Sequence, residues 1–114
     1  MTFDDVREIA LALPGTEEST SYGTPAFKVA GKMVARKHQD GVSLVVRISF
    51  DEREMLMEAE PTTFYITDHY RNHPALLVNI ATVNPGSLRR ILEQTWRQVA
   101  PKKLVASFDA GANA

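Results

Sequence analysis

The chain has 114 residues, of which 44% are hydrophobic and 24% are charged, as expected of one globular domain large enough to bury a core. It contains no cysteine, which excludes disulfides and thiolate chemistry. The formal net charge of -1 gives no overall basic field and argues against strong nonspecific binding to nucleic acid. No apolar run is long enough to cross a bilayer, and residues 1–5 do not resemble a signal peptide. We therefore expect a soluble, cytoplasmic protein.

Two amphipathic helices are predicted, one near each end of the chain. The first covers residues 3–13, with Thr2 and Asp5 at the spacing of a capping box, and the second begins at Pro85, is capped by Asn84 and ends before Pro101. Apolar residues recur in both at spacings of three and four, as they do on one face of a helix. The two apolar stripes consist of Phe3, Val6, Ile9, Ala10 and Leu13, and of Leu88, Ile91, Leu92, Thr95, Trp96 and Val99. We expect both helices to pack on the same face of a sheet.

The centre of that sheet is predicted between residues 20 and 50. Three short runs with alternating polarity are separated by Gly31 and by a turn at residues 39–41, which is typical of an antiparallel meander. Gly23 and Pro25 interrupt the first run: Gly23 permits a bulge or a close backbone approach, and Pro25 cannot donate to a ladder, so we expect an edge or bent strand. The alternation of the third run predicts that its core-facing residues are Val42, Leu44, Val46 and Ile48.

The second half of the chain adds shorter elements. A short helix is predicted from Phe50 to Pro61, a strand over residues 63–67 and a last strand over residues 76–81. The polar and aromatic segment Asp68–Pro74 between these strands is the longest predicted loop. The predicted buried side of the short helix consists of Met55, Leu56 and Ala59.

This order of elements predicts an α+β fold in which an antiparallel sheet carries the N- and C-terminal helices on one face. The other face is then open to solvent or to a partner. No linker or repeat divides the chain, so we expect a single domain over residues 1–106. The small residues of segment 107–114 predict a flexible C-terminal tail.

Several motifs, spread over residues 2 to about 105, resemble one known family. They are Leu13-Pro14-Gly15, Ser21 to Phe27, Gly31 to Ala35, Leu44 to Arg47, Phe64-Tyr65, Asp68-His69-Tyr70 and Trp96. On these motifs the chain resembles the MmcQ/YjbR family of small bacterial proteins. The resemblance implies a CyaY-like, that is frataxin-like, fold and DNA binding through a double-wing arrangement.

The predicted hairpin strands carry five basic residues. They are Lys28, Lys32, Arg36, Lys37 and Arg47. Strand alternation directs Lys28 and Arg47 outward, where a basic stripe could contact the phosphates of DNA, and Tyr22 could add a stacking surface. The alternative is that these residues are solvated and protect a sheet face against aggregation.

The Asp68–Pro74 loop is a second candidate site, because binding residues are frequent on loops. The candidate ligand-binding residues are Tyr22, His69, Tyr70, Arg71 and His73. His69 and His73 have a spacing that aligns two rings for a metal only on a helix, and Pro74 disfavours a helix here. We therefore expect no metal and no cofactor.

No motif in the chain points to a reaction. It has neither a Gly-x-Ser-x-Gly nucleophile elbow nor a glycine-rich phosphate loop. We expect a binding protein and not an enzyme, with DNA as the first candidate partner. The alternative is a module that binds a protein or a small ligand in a cleft between the loop and the sheet. We expect a monomer or a weak homodimer.

Overall fold

The computed structural model describes residues 1–112, which form an α+β fold around one antiparallel sheet. The six strands lie in the order β1-β2-β3-β4-β6-β5. The elements in chain order are α1 (Phe3–Leu11), β1 (Thr16–Ser21), β2 (Thr24–Val29), β3 (Lys32–Lys37), β4 (Ser43–Arg47), α2 (Phe50–Ala59), β5 (Phe64–Tyr65), a 3₁₀ helix (Asp68–Tyr70), β6 (Ala75–Asn79), α3 (Pro85–Val99) and α4 (Lys102–Ala112). The predicted fold class is confirmed, whereas the frataxin-like classification stays a prediction.

The main core lies between one sheet face and the terminal helices, as predicted. Val6 of α1 and Trp96 of α3 are both fully buried in the same cluster as Phe27, Val46 and Leu76 of the sheet. The capping residues agree with the sequence prediction, since Thr2 forms a capping box with Asp5 and Asn84 caps α3. In residues 1–112, no helix is both long and apolar enough to span a membrane.

The meander has four strands instead of the predicted three. β1 begins at Thr16, and Tyr22 and Gly23 form a two-residue turn with φ angles of 54° and 77°. Positive φ at both positions is the type I′ geometry that matches the twist of a hairpin. Gly23 therefore lies in a turn and not in a bulge, and the expected edge position applies to β1 but is wrong for β2. β2 is an interior strand, which tolerates Pro25 because its pairing with β3 begins only at Ala26.

Three predicted core positions are exposed. Val42 is 57% exposed because it precedes β4, so the alternation of that strand does not apply to it. In α2, Met55 is 69% exposed and Ala59 is also exposed, whereas the buried residue is Arg53. The buried side of α2 thus holds a charged side chain.

The segment after α3 forms a helix through Ala112, where the sequence predicted a frayed tail. Phe108 packs edge-on against Trp96, with ring centroids 5.2 Å apart, and joins the main core. Arg97 donates to both carboxylate oxygens of Asp109, at 3.1 and 2.7 Å, and these hydrogen bonds hold the pKa of Asp109 below its usual value. The last two residues of the predicted tail, 113 and 114, lie outside the described residues.

Candidate functional site: a cleft on the open sheet face

The open face, defined here as the sheet face opposite the main core, is partly covered by the loop between β5 and β6. Cross-strand pairing places Arg36, Val45 and Leu77 in one row on this face. The Tyr70 side chain lies against Val45 and Leu77 in a small second cluster and is only 7% exposed. The loop thus forms a wall above the sheet.

A cleft of about 620 Å³ remains between this loop, the β1–β2 turn and the open face. Its volume lies in the range of small-molecule sites. The lining residues are Tyr22, Met33, Arg36, His38, Gln39, Val45, Thr67, His69, Tyr70, His73 and Ala75. None of these is acidic, and the side chains of five of them contain a ring.

Arg53 of α2 holds the loop that forms one wall of the cleft. Its Nη1 donates to the carbonyl oxygens of Tyr70, His73 and Ala75 at 3.0, 2.8 and 3.2 Å. Its Nη2 donates to the carbonyl oxygen of Arg71 at 3.1 Å. Arg53 is 4% exposed, so one buried guanidinium ties four backbone carbonyl groups of this segment together.

Arg36 provides a buried positive charge beside the cleft. The residue is only 8% exposed, and its Nη2 donates to the Tyr70 hydroxyl at 2.7 Å. Its Nη1 is also buried but has no hydrogen-bond partner. Tyr22 lies over the guanidinium, with its ring centroid 5.1 Å from Cζ. No carboxylate of the described residues forms a salt bridge with Arg36, although buried arginines are normally paired.

Three histidines line the cleft, and two of them lie against the ring of Tyr70. The His69 and His38 ring centroids lie 4.7 and 6.1 Å from the ring of Tyr70, and His73 lies 5.7 Å from His69. Imidazole N–H groups add hydrogen-bond donors to a wall without carboxylates. Over residues 1–112, no three histidine or acidic side chains are grouped closely enough to hold a metal ion.

The structure brings together four of the five predicted loop and ligand candidates. Tyr22, His69, Tyr70 and His73 all line the cleft. Arg71 does not line it, because its side chain points to solvent and forms a salt bridge of 2.7 Å with Asp68.

The five predicted DNA-binding residues are divided between the two sheet faces. Lys28 and Arg47 lie on the open face, since they pair with the cleft residues Met33 and Ala75. Arg36 is buried on the same face. Lys32 and Lys37 belong to the opposite face, since their cross-strand partners are the core residues Val29 and Leu44, and Lys37 Nζ lies 5.2 Å from the ring centroid of Phe3.

Three important residues were not predicted from the sequence. His38 follows Arg36 at the two-residue spacing that places side chains on the same strand face, and this spacing could have identified it. Arg53 precedes the half-buried Leu56 by three residues, which places it on the same helix face. Met33 could not be assigned, because a bulge in the β2–β3 pairing disturbs the alternation of β3.

Asp40 fixes the turn between β3 and β4, which carries His38 and Gln39 into the cleft. Its carboxylate accepts hydrogen bonds from the backbone N–H groups of Val42 and Ser43, each at 2.9 Å, and from Ser43 Oγ at 2.8 Å. Burial opposes ionisation, but these hydrogen bonds and the nearby His38 together hold the pKa of Asp40 below its usual value.

We expect Asp40→Asn to lower the free energy of unfolding at pH 7 by about 1 kcal/mol, the value of a typical hydrogen bond. Because the folded-state pKa lies below the unfolded value, the carboxylate stabilises the fold fully above about pH 4. That contribution is lost as the pH falls through the folded-state pKa. Urea unfolding should therefore show that the difference in free energy of unfolding between wild type and variant is smaller at pH 3 than at pH 7. A difference of equal size at both pH values, or the same loss in the exposed control Glu58→Gln, would refute this role.

Comparisons with known proteins agree with the motif resemblance. The YjbR family model matches residues 11–98. Uncharacterized proteins of Mycobacterium bovis and Mycobacterium tuberculosis are each 30% identical to the chain over 130 aligned positions, which cover 97% of this chain and 98% of theirs. A crystal structure of a Deinococcus radiodurans protein with a DUF419 domain superposes with a TM-score of 0.72 and 25% identity, covering 86% of this chain and 78% of that one. The chain belongs to the YjbR family, also named MmcQ/YjbR or DUF419.

Proposed function

We propose that this protein is a non-enzymatic binding protein, active as a monomer or weak homodimer, that holds the anionic group of a small ligand in the open-face cleft. The observation that carries this proposal is the buried guanidinium of Arg36, which has an unpartnered Nη1 and no carboxylate in salt-bridge range among the described residues. A buried charge without a counterion is costly, and a ligand that supplies the counterion recovers that cost on binding.

The chemistry of the cleft favours a phosphate or carboxylate group. A guanidinium presents its N–H groups as a planar fork that suits the oxygen atoms of either anion. His69 and His73 can donate further hydrogen bonds from the rim, as can Nε2 of His38, whose Nδ1 accepts from the Asp40 backbone N–H. None of the lining residues is itself acidic, although the Asp40 carboxylate lies 3.2 Å from His38 Nδ1.

We expect a ligand to reach Arg36 by displacing the Tyr22 ring. Nη1 is covered, and Tyr22 is the residue that lies over the guanidinium. Tyr22 is 80% exposed on a two-residue turn, so its ring can move aside without breaking a core contact. An anion that enters the cleft can then accept from Nη1 directly.

A thermal-unfolding titration with inorganic phosphate and with benzoate tests this proposal. A ligand that binds only the folded state raises its stability, by about 2.7 kcal/mol at a concentration of one hundred times Kd. We expect at least one of the two anions to raise the Tm of the wild type and of Arg89→Met, which removes an exposed arginine outside the cleft. Arg36→Met should lose this increase, with each variant compared with its own anion-free Tm. Equal increases in all three proteins, or none in the wild type, would refute the anion site.

Duplex DNA is the second candidate ligand. It is supported by Lys28 and Arg47, which share the open face, and by the absence of salt bridges to either of them within residues 1–112. Against it, Glu17 lies opposite Lys28 in the sheet, and Lys32 and Lys37 belong to the other face.

A fluorescence-anisotropy titration with duplex DNA at two salt concentrations tests this second candidate. If the open face binds DNA, the combined change Lys28→Ala with Arg47→Ala should weaken binding. It should also reduce the slope of log binding constant against log salt concentration by about two, because each lost phosphate contact removes about 0.9 from this slope. Absence of binding at low salt, or binding that the double change leaves intact, would contradict this candidate.

A further inference from the structure

The β1–β2 turn carries an aromatic side chain that the fold does not require. Tyr22 is 80% exposed, so its ring is not part of the described core. Its backbone has a φ of 54°, in the left-handed region where asparagine and glycine are favoured and tyrosine is not. Neither core packing nor backbone preference therefore accounts for a tyrosine here. An unfavourable backbone conformation beside a cleft is a reason to look for a binding role.

The ring of Tyr22 stands at the entrance of the cleft, directly above its buried charge. The centroid lies 5.1 Å from Cζ of Arg36, within the range of a cation–π contact. Much of the ring surface stays accessible for stacking. His38, His69, Tyr70 and His73 add four more rings to the cleft lining. A cleft lined by rings, with the Arg36 guanidinium beside them, suits a planar ligand that has one negatively charged end.

We infer that the ligand of this cleft carries a planar aromatic ring next to its anionic group, and that Tyr22 is the stacking partner of that ring. This inference rests on the proposed anion site, which supplies the binding of the charged end. The phosphate or carboxylate lies toward Arg36, and the ring lies between Tyr22 and the histidine rim. The ligand class is thus an aryl phosphate or an aromatic carboxylate.

Two matched pairs of small molecules test the inference by isothermal titration calorimetry. Phenyl phosphate is compared with cyclohexyl phosphate, and benzoate is compared with cyclohexanecarboxylate; within each pair only the planar ring differs. We expect the aromatic member of at least one pair to bind about fivefold more tightly or better, as stacking contacts allow. A preference in the first pair alone identifies an aryl phosphate, and a preference in the second alone identifies an aromatic carboxylate.

Two changes at Tyr22 separate ring stacking from hairpin folding. Tyr22→Asn produces an Asn-Gly turn, which is favoured at type I′ positions, so the hairpin should fold without the ring. This variant should lose the aromatic preference and bind cyclohexyl phosphate at least as tightly as the wild type does, because the ring no longer lies over Arg36. Tyr22→Phe should keep the preference, since the ring remains.

The possible failures are distinguishable. If both members of each pair bind equally, the inference is wrong while the anion site stands. If Tyr22→Asn keeps the aromatic preference, the role of Tyr22 is wrong. If none of the four compounds binds the wild type, the proposed anion site fails and the inference fails with it.

Discussion

Replacement of Arg53 by leucine is expected to lower the free energy of unfolding by about 3 kcal/mol or more, the range for breaking a buried charged network. The change removes the hydrogen bonds to the carbonyl groups of Tyr70, Arg71, His73 and Ala75. Three of these groups lie in the loop that forms the cleft wall and the fourth begins β6, so loss of the hydrogen bonds should destabilise the fold and release the loop. Chemical denaturation measures the loss of stability, and amide hydrogen exchange of residues 68–73 measures the release of the loop.

Two control variants show whether the geometry of Arg53 is responsible. Arg53→Lys keeps the charge but lacks the planar fork that reaches several carbonyl groups, so it should recover only part of the stability. Arg89→Leu removes an exposed arginine from α3 and should cost less than about 0.5 kcal/mol. If Arg53→Leu unfolds no more easily than Arg89→Leu, or if exchange in the loop is unchanged, Arg53 does not hold the cleft wall.

The second large effect is expected at Trp96, whose side chain joins α3 to the connection between α1 and β1 and to α4. The residue is fully buried, its Nε1 donates to the Pro14 carbonyl at 2.9 Å, and its ring contacts Phe108 of α4. Trp96→Ala should cost about 3–5 kcal/mol, because it leaves a large cavity and removes the hydrogen bond. Urea unfolding followed by far-UV circular dichroism measures this loss.

A graded series identifies the two contributions of Trp96. Trp96→Phe retains much of the ring volume and loses the hydrogen bond to Pro14, so it should cost less than Trp96→Ala. Phe108→Ala removes the other ring of the pair, and we expect it to release α4 while the sheet and α3 stay folded. Equal losses for Trp96→Phe and Trp96→Ala would show that cavity volume does not dominate at this site.

The sequence predicts α1 and α3 well because capping residues and apolar stripes are local signals that agree with the tertiary fold. Thr2, Asn84 and Pro85 define helix starts, and the stripe through Trp96 defines the buried face. β1 was not recognised from Thr16 onward, since a strand with mostly exposed polar residues shows no hydrophobic alternation.

The cleft was harder to predict because it depends on contacts between distant residues. Arg36 contacts Tyr70, which is 34 positions away in the chain. Alternation along β3 did not identify the face of Arg36, because the bulge leaves Val34, Ala35 and Arg36 all buried. Tyr22, His69 and His73 were candidates from residue type and loop position alone. Their meeting in one cleft that is also lined by Arg36 requires the folded chain.

A ¹H–¹⁵N NMR titration of the wild type with phenyl phosphate shows whether an anion binds beside Arg36. We expect saturable shifts confined to the side-chain N–H groups of Arg36 and to the amides around Tyr22, His38 and residues 68–73, with none in Arg36→Met. Absence of shifts at the highest phenyl phosphate concentration, or shifts that centre on Lys32 and Lys37 at the opposite face, would rule out anion binding in this cleft.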